Sequence, residues 1–249
     1  MPTFASCYSG IGGVDAGFAI AGYVPLWQAE IDPYRQAVLR RHFGIPVYAS
    51  VAAVSWVAPA PDVLYAEFPD ARVDDWWARV VPVVDRVGTR RWLVLELSPT
   101  VRYDAILRAM ILRDYAFRVV HVTYTTFGAG MAADAADKRV RAFIFASRDV
   151  ALVDGLGLAA MAVTIEQTLP DDVGQPVESV AWHEVTRGLR AGWTCACQGE
   201  PCACDPAARR SALRDATSPL IGHWLGALLA GDWTDGQTRA LTEADGTRV

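Results

Sequence analysis

Apolar positions in the first half of the chain fall into short runs separated by stretches of helical spacing. Thr3–Tyr8 is extended and apolar, Ser9–Gly13 is a glycine-rich turn, and Val14–Gly22 returns apolar residues at helical intervals. Leu26–Ile31 forms a second run, and Pro33 opens a helix that continues through Tyr34–Phe43, with Val38 and Leu39 inward and Arg35, Arg40 and Arg41 outward. Further strand-like runs follow at Asp62–Phe68, Arg91–Leu97, Arg118–Thr123 and Arg141–Ala146, with helical stretches at Asp74–Val87 and Val101–Arg113. Strands alternating with helices of this length predict an α/β domain. Its sheet is expected to be doubly wound and mostly parallel, covered on both faces, with ligands at the carboxyl ends of the strands.

The pattern weakens from about Asp149: Val150–Val163 is apolar and small, Leu169–Pro176 is polar, and Trp193–Pro206 is cysteine-rich. Periodicity returns at Ser218–Leu229, where Leu220, Ile221, Trp224, Leu225 and Leu228 share one helical face. The expected organisation is a main domain from residues 1–148 and 209–231, a small insert at 149–208, and a polar tail at 232–249. No internal repeat is visible.

Composition narrows the class. The 249 residues are 52% hydrophobic and 20% charged, which excludes a disordered or collagen-like chain. No apolar run reaches the ~18 residues of a membrane span, and no basic flank precedes an apolar stretch at the start. A cytoplasmic chain with no membrane partner is expected, nucleoid-associated if it binds DNA. The formal net charge is -5, so nucleic-acid binding has to rest on local arginine patches. Arg139, Arg141, Arg187, Arg190, Arg209, Arg210 and Arg214 are candidates for a phosphate-contacting cleft, the alternative being a solvated surface.

The turn Ser9-Gly10-Ile11-Gly12-Gly13 stands between a strand and a helix, where backbone N–H groups and the helix N-terminus can face a nucleotide-like ligand. Glu30 closes the next strand, where a carboxylate can accept both ribose hydroxyls. A tight turn with a surface Glu would give the same spacing. The whole stretch Phe4–Gly13, with Gly17, Gly22 and Trp27-Gln28-Ala29-Glu30-Ile31-Asp32, resembles the cofactor-binding start of the cytosine-C5 DNA methyltransferases. The resemblance implies the S-adenosylmethionine-dependent methyltransferase fold. It maps the family's S-adenosylmethionine or S-adenosylhomocysteine site onto Tyr8, Ser9, Gly10, Gly12, Gly13, Glu30 and Ser50, the last standing where the family carries an Asp. It continues through Arg139-Val140-Arg141, similar to the family's Gln-Xaa-Arg-Xaa-Arg strand, and resumes at Ala212–Pro219, covering roughly Thr3–Arg148 and Ser211–Leu229.

The family's chemistry uses a thiolate that attacks C6 of a flipped-out cytosine, making C5 nucleophilic. The matching segment reads Phe68-Pro69-Asp70, with a carboxylate in place of that thiol. The neighbouring strand, Leu95-Glu96-Leu97-Ser98, keeps the Glu that holds the base edge, loses the adjacent Asn and carries no cysteine. Asp137 stands for the family's Gln, and Arg214-Asp215 for its late Gly-Asn. The resemblance therefore implies a methyltransferase-like protein that binds DNA, or an active methyltransferase partner, as a pseudoenzyme with Asp70, Glu96, Arg139 and Arg141 in the inherited site. Alternatives are altered chemistry on a DNA base or nucleotide, run by Asp70 and Glu96 as acid or base, and an ordinary methyltransferase whose thiol comes from a partner or from the Cys195–Cys204 segment. Asp70, Asp74, Asp75, Glu96 and Asp137 are further considered as a carboxylate cluster for a divalent ion, although Asp74 and Asp75 also suit a helix N-terminus.

Four of the five cysteines make the tetrad Cys195, Cys197, Cys202 and Cys204. Thiols this dense in an intracellular chain are more often metal ligands than disulfides, and structural zinc is the expected ion, with reduced thiols or a disulfide as alternatives.

Overall fold

The computed structural model describes residues 1–54, 58–68, 73–99, 102–127, 137–156, 162–168, 193–196, 204–214 and 217–231, with backbone alone at 73, 74, 76, 124–127, 137–139, 162–168 and 214. The helices are α1 (Gly13–Ile20), α2 (Pro33–Phe43), α3 (Val73–Arg86), α4 (Asp104–Ile111), α5 (Val150–Asp154), α6 (Pro206–Arg214) and α7 (Pro219–Ala230). The strands are β1 (Thr3–Cys7), β2 (Val24–Ala29), β3 (Val47–Tyr48), β4 (Val63–Phe68), β5 (Trp92–Leu97), β6 (Ala116–Phe127), β7 (Asp137–Ser147) and β8 (Ala162–Thr168). They form one eight-stranded sheet in the order β3-β2-β1-β4-β5-β7-β6-β8.

The α/β expectation holds, and the sheet is parallel except around β7, which runs antiparallel to both β5 and β6. Because β7 is reversed, its N-terminal half lies beside the C-terminal end of β5: Leu97 pairs with Ala142, and Glu96 with Phe143. Strand β8, from the stretch expected to be an insert, adds to the sheet parallel to β6.

Alternation along each strand sends side chains to two cores. Leu64, Ala66, Leu93 and Leu95 face α3 and α4 through Trp77, Val80, Ile106 and Met110. Val63, Tyr65, Val94, Phe143 and Phe145 face α1, α5 and α7 through Phe18, Val153, Ile221 and Trp224. The second layer depends on backbone-to-backbone packing. A Cβ on Gly13 would lie 1.9 Å from the Thr217 carbonyl oxygen, one on Gly17 2.0 Å from that of Pro219, and one on Gly222 2.1 Å from that of Val14. Gly13 and Gly17 are thus required to bring α1 against α7, whatever the turn before them binds.

Capping follows the residues that frame the helices. Asp32 accepts from the N–H groups of Tyr34 and Arg35 ahead of Pro33, and Ser218 accepts from that of Leu220 ahead of Pro219. Among the described residues, no helix is long and apolar enough to cross a membrane.

Candidate functional site

The turn after β1 sits at the carboxyl end of the sheet and departs from ordinary backbone at three residues. Tyr8 (φ 58°), Gly10 (φ 58°) and Gly12 (φ 80°) are left-handed. For a tyrosine this conformation costs about 1–2 kcal/mol, a strain found most often where a loop serves a ligand. Gly12 has a steric reason as well, since a Cβ there would come within 2.5 Å of the Phe43 ring. At Gly10 an added Cβ would meet nothing within 4 Å, so the turn is open to an approaching ligand at that point.

Glu30 holds this turn. Its buried carboxylate accepts from the Gly10 N–H through Oε2 (2.8 Å) and from the Asp32 N–H through Oε1 (2.9 Å). Burial raises its pKa while those two N–H groups and Arg35 work against the rise. Each oxygen keeps a lone pair, and the α1 N-cap, Gly12, supplies no side-chain cap. An open turn, a helix N-terminus and an acceptor at the end of β2 suit a ligand that carries hydroxyl groups and an anionic end. Ser50, after β3, accepts from the Ala53 N–H and so caps the short 3-10 turn Val51–Ala53.

Beneath the turn lies a polar network that sequence reading missed. Ser6 donates to Asp15 Oδ1 (2.6 Å), Gln28 Nε2 donates to the same oxygen (2.8 Å), and the Ser6 and Ser9 hydroxyls are 2.6 Å apart. Burial pushes the Asp15 carboxyl up to about 6. As an acid in the first turn of a helix, Asp15 reads from sequence as an exposed dipole partner. It is instead the buried centre of the network.

Glu96 and Arg141 are brought together. Arg141 Nε donates to Glu96 Oε1 at 3.1 Å, Thr217 Oγ1 donates to the same oxygen at 3.0 Å, and Tyr65 donates to Oε2 at 2.5 Å. Glu96 is only 1% exposed and carries three donors, one of them charged, which keeps its carboxylate oriented at the strand ends. Burial and the Glu96 charge raise the Tyr65 phenol well above its ordinary range, so it remains a donor. Tyr65 and Thr217 were not singled out as site residues, although Thr217 stands within the family-like segment Ala212–Pro219. Arg139 lies on β7 opposite Tyr124, and its side chain is outside the described residues, as are Asp70 and the side chains of Asp74 and Asp137. Asp75 is exposed. Among the described residues, no three His, Cys, Asp or Glu side chains gather as a metal-binding group.

The segment Trp193-Thr194-Cys195-Ala196 docks against the rear of the glycine turn. Trp193 Nε1 donates to the Ile11 carbonyl at 2.9 Å, and its ring stacks on His42 with centroids 3.9 Å apart and planes at 2°. The hydroxyl of Tyr34 donates to the Thr194 carbonyl, and Arg41 to that of Cys195. Arg209 donates to the Thr194 hydroxyl, so this arginine holds the protein's own chain. Cys195 and Cys204 are neighbours, whereas Cys197, Cys202, Arg187 and Arg190 fall outside the described residues.

No protein-family model matches the chain, and no curated protein sequence does. Solved structures do. The Entamoeba histolytica methyltransferase EhMeth matches with a TM-score of 0.60 at 10% identity, over 94% of this chain and 99% of its own. The S. pombe Dnmt2 methyltransferase gives 0.62 at 8% identity, over 92% and 98%. A putative DNA modification methyltransferase encoded within an E. coli prophage gives 0.51 at 16% identity, and this match spans 67% of this chain and only 53% of that one. Identities this low speak for the fold alone: along nearly its whole length the chain has a methyltransferase fold.

Proposed function

We propose that the chain binds S-adenosylmethionine or S-adenosylhomocysteine over the glycine turn and engages DNA, or an active methyltransferase partner, without performing ordinary cytosine-C5 methylation. The observation that carries this reading is the Glu96 carboxylate, buried and oriented by Arg141, Thr217 and Tyr65 at the same end of the sheet as the Glu30-braced turn. Glu96 would supply one half of a base-holding pair, while in sequence Asp70 stands where the family's thiol belongs.

When bound, the cofactor would supply an electrophilic methyl group. Glu30 would accept from its ribose hydroxyls, the open Gly10 turn would admit its charged end, and Glu96 would meet the polar edge of a base. The missing step is addition to C6. A carboxylate is a poorer nucleophile toward carbon than a thiolate and a better leaving group once added, costing several kcal/mol of barrier, or ~10³-fold in rate. With net charge -5, DNA contact rests on local arginines and weakens steeply with salt.

Calorimetric titration with both cofactor forms, using Glu30→Ala as control, tests the binding half. Micromolar binding that the variant loses is expected, and no binding would leave a scaffold on a methyltransferase fold. Transfer from labelled cofactor to DNA tests the other half: none is expected from the wild type, and 5-methylcytosine made by it would overturn the reading. A change in DNA mass that Asp70→Asn abolishes would instead favour base chemistry run by Asp70 and Glu96.

A further inference from the structure

At the end of the sheet opposite Glu30 and Glu96, the reversal of β7 gathers three arginines that the proposed function does not use. Ala146 of β7 pairs with Leu93 of β5, and Ser147 with Ala116 of β6, so Arg148 emerges next to the residues that precede both strands. A cleft of about 530 Å³ results, with Arg90, Arg91, Tyr115, Ser147, Arg148 and Asp149 in its walls. Five residues along β5, ~17 Å, separate Arg91 from Glu96. All three arginines are exposed, and among the described residues none of them pairs with a carboxylate. Asp149, the acid in the wall, commits Oδ1 to the Ala151 N–H, and three arginines against one aspartate leave two positive charges. The Arg148 guanidinium lies 5.0 Å over the centre of the Tyr115 ring, a stack through the face of the group that uses none of its N–H donors. Two buried hydroxyls complete the wall. Ser147, 1% exposed, accepts from the Asp149 N–H and keeps its own hydrogen to donate. Tyr115, 6% exposed, hydrogen-bonds through its hydroxyl to no described residue, and burial raises its phenol, so it remains a donor.

We propose that this cleft binds a terminal phosphate, the dianion of a phosphomonoester, with Arg90, Arg91 and Arg148 on its oxygens and the Ser147 and Tyr115 hydroxyls as further donors. Charge selects this ligand: two net positive charges match a phosphomonoester near neutral pH, whereas a carboxylate or an internal phosphodiester brings a single negative charge. Shape agrees, because the planar guanidinium fork fits phosphate oxygens two at a time. At about 530 Å³ the cleft has the size of a small-molecule site, so it admits the organic group that carries the phosphate as well as the phosphate itself. A free sugar phosphate and the 5′-phosphate end of a nucleic acid present this same chemistry. The inference stands whether or not the glycine turn binds a cofactor.

The test is calorimetric titration of the full chain with ribose 5-phosphate, and with ribose as its uncharged counterpart. Binding of the phosphate form alone is expected, weakened about tenfold or more in Arg91→Ala and in Arg148→Ala and unchanged in Glu30→Ala. Arg91 is exposed and its side chain holds no described residue, so its variant keeps the fold even if loss of Arg148 disturbs Tyr115. The 5′-phosphorylated and 5′-hydroxyl forms of one oligonucleotide then distinguish the sources. A phosphorylated oligonucleotide that binds about tenfold tighter than ribose 5-phosphate assigns the phosphate to a nucleic-acid end, and a smaller preference assigns it to a free sugar phosphate. Absence of binding by both phosphate probes, equal binding of the forms that lack the phosphate, or full binding by both arginine variants overturns the proposal.

Discussion

Replacing Asp15 by asparagine isolates the energetic consequence of burying an acid under the glycine turn. The carboxyl is 1% exposed, accepts from Ser6 and Gln28 through Oδ1, and leaves Oδ2 without a donor among the described residues; Gln28 Oε1 beside it also lacks one. A protonated Asp15 supplies a hydrogen that ionised Asp15 does not, and burial accordingly raises the group from 3.8 to about 6. Between those values the folded chain binds more protons than the unfolded one. Stability is therefore greatest below the unfolded pKa and falls as pH rises through the folded one. At about 1.4 kcal/mol per pH unit, the penalty accumulated by neutral pH is ~3 kcal/mol. Asparagine keeps an acceptor for Ser6 and Gln28, supplies N–H donors and cannot ionise. Urea unfolding of both proteins from about pH 4 to pH 8 is the assay, because other titrating groups cancel in the difference. The stability of Asp15→Asn minus that of the wild type should grow by ~2.5 kcal/mol across that range, most of it by about pH 6.5. A difference flat to within ~0.5 kcal/mol would refute the reasoning, by showing that the Ser6 and Gln28 bonds fully offset burial.

Two further substitutions test the frame around the site. Gly13→Ala places a methyl group 1.9 Å from the Thr217 carbonyl oxygen, so α1 and α7 must separate; thermal denaturation should register a loss of ~3 kcal/mol or more, and a loss below ~1 would mean the helices are free to shift. Arg141→Ala leaves the Glu96 carboxylate buried without its cation and should cost ~3 kcal/mol in chemical denaturation, partly recovered when Glu96→Gln is added; a double-variant loss equal to the sum of the two single-variant losses would show that the charge pair carries no coupling.

The parts of the fold that were legible in sequence are those set by local chemistry. Pro33 behind Asp32, Ser218 ahead of Pro219 and the glycines after β1 are backbone instructions, and each element begins where they place it. Strand β3 was missed because two residues, Val47 and Tyr48, make no pattern. Strands β6 and β7 were read too short, as Arg118–Thr123 and Arg141–Ala146, because their paired ends, Tyr124–Phe127 and Asp137–Val140, are largely polar. The reversal of β7 is a property of pairing partners, which alternation along one strand does not encode. The same division applies to the site. Glu30, Glu96 and Arg141 belong to recognisable motifs, whereas Asp15, Tyr65 and Trp193 acquire their roles from residues 9 to 182 positions away.

The glycine contacts between α1 and α7 also place a demand on synthesis. The partners Gly13, Val14 and Gly17 are made about 200 residues before Thr217, Pro219 and Gly222. At ~5–20 residues per second, the first helix waits ~10–40 s at the ribosome for the backbone that closes over it. During that interval Val14 and Phe18 have no α7 to cover them, and the nascent chain presents an apolar ridge beside an unfinished loop. Codon choice and chaperone supply along the intervening stretch should therefore govern the yield of folded protein more than the stability of the finished molecule does.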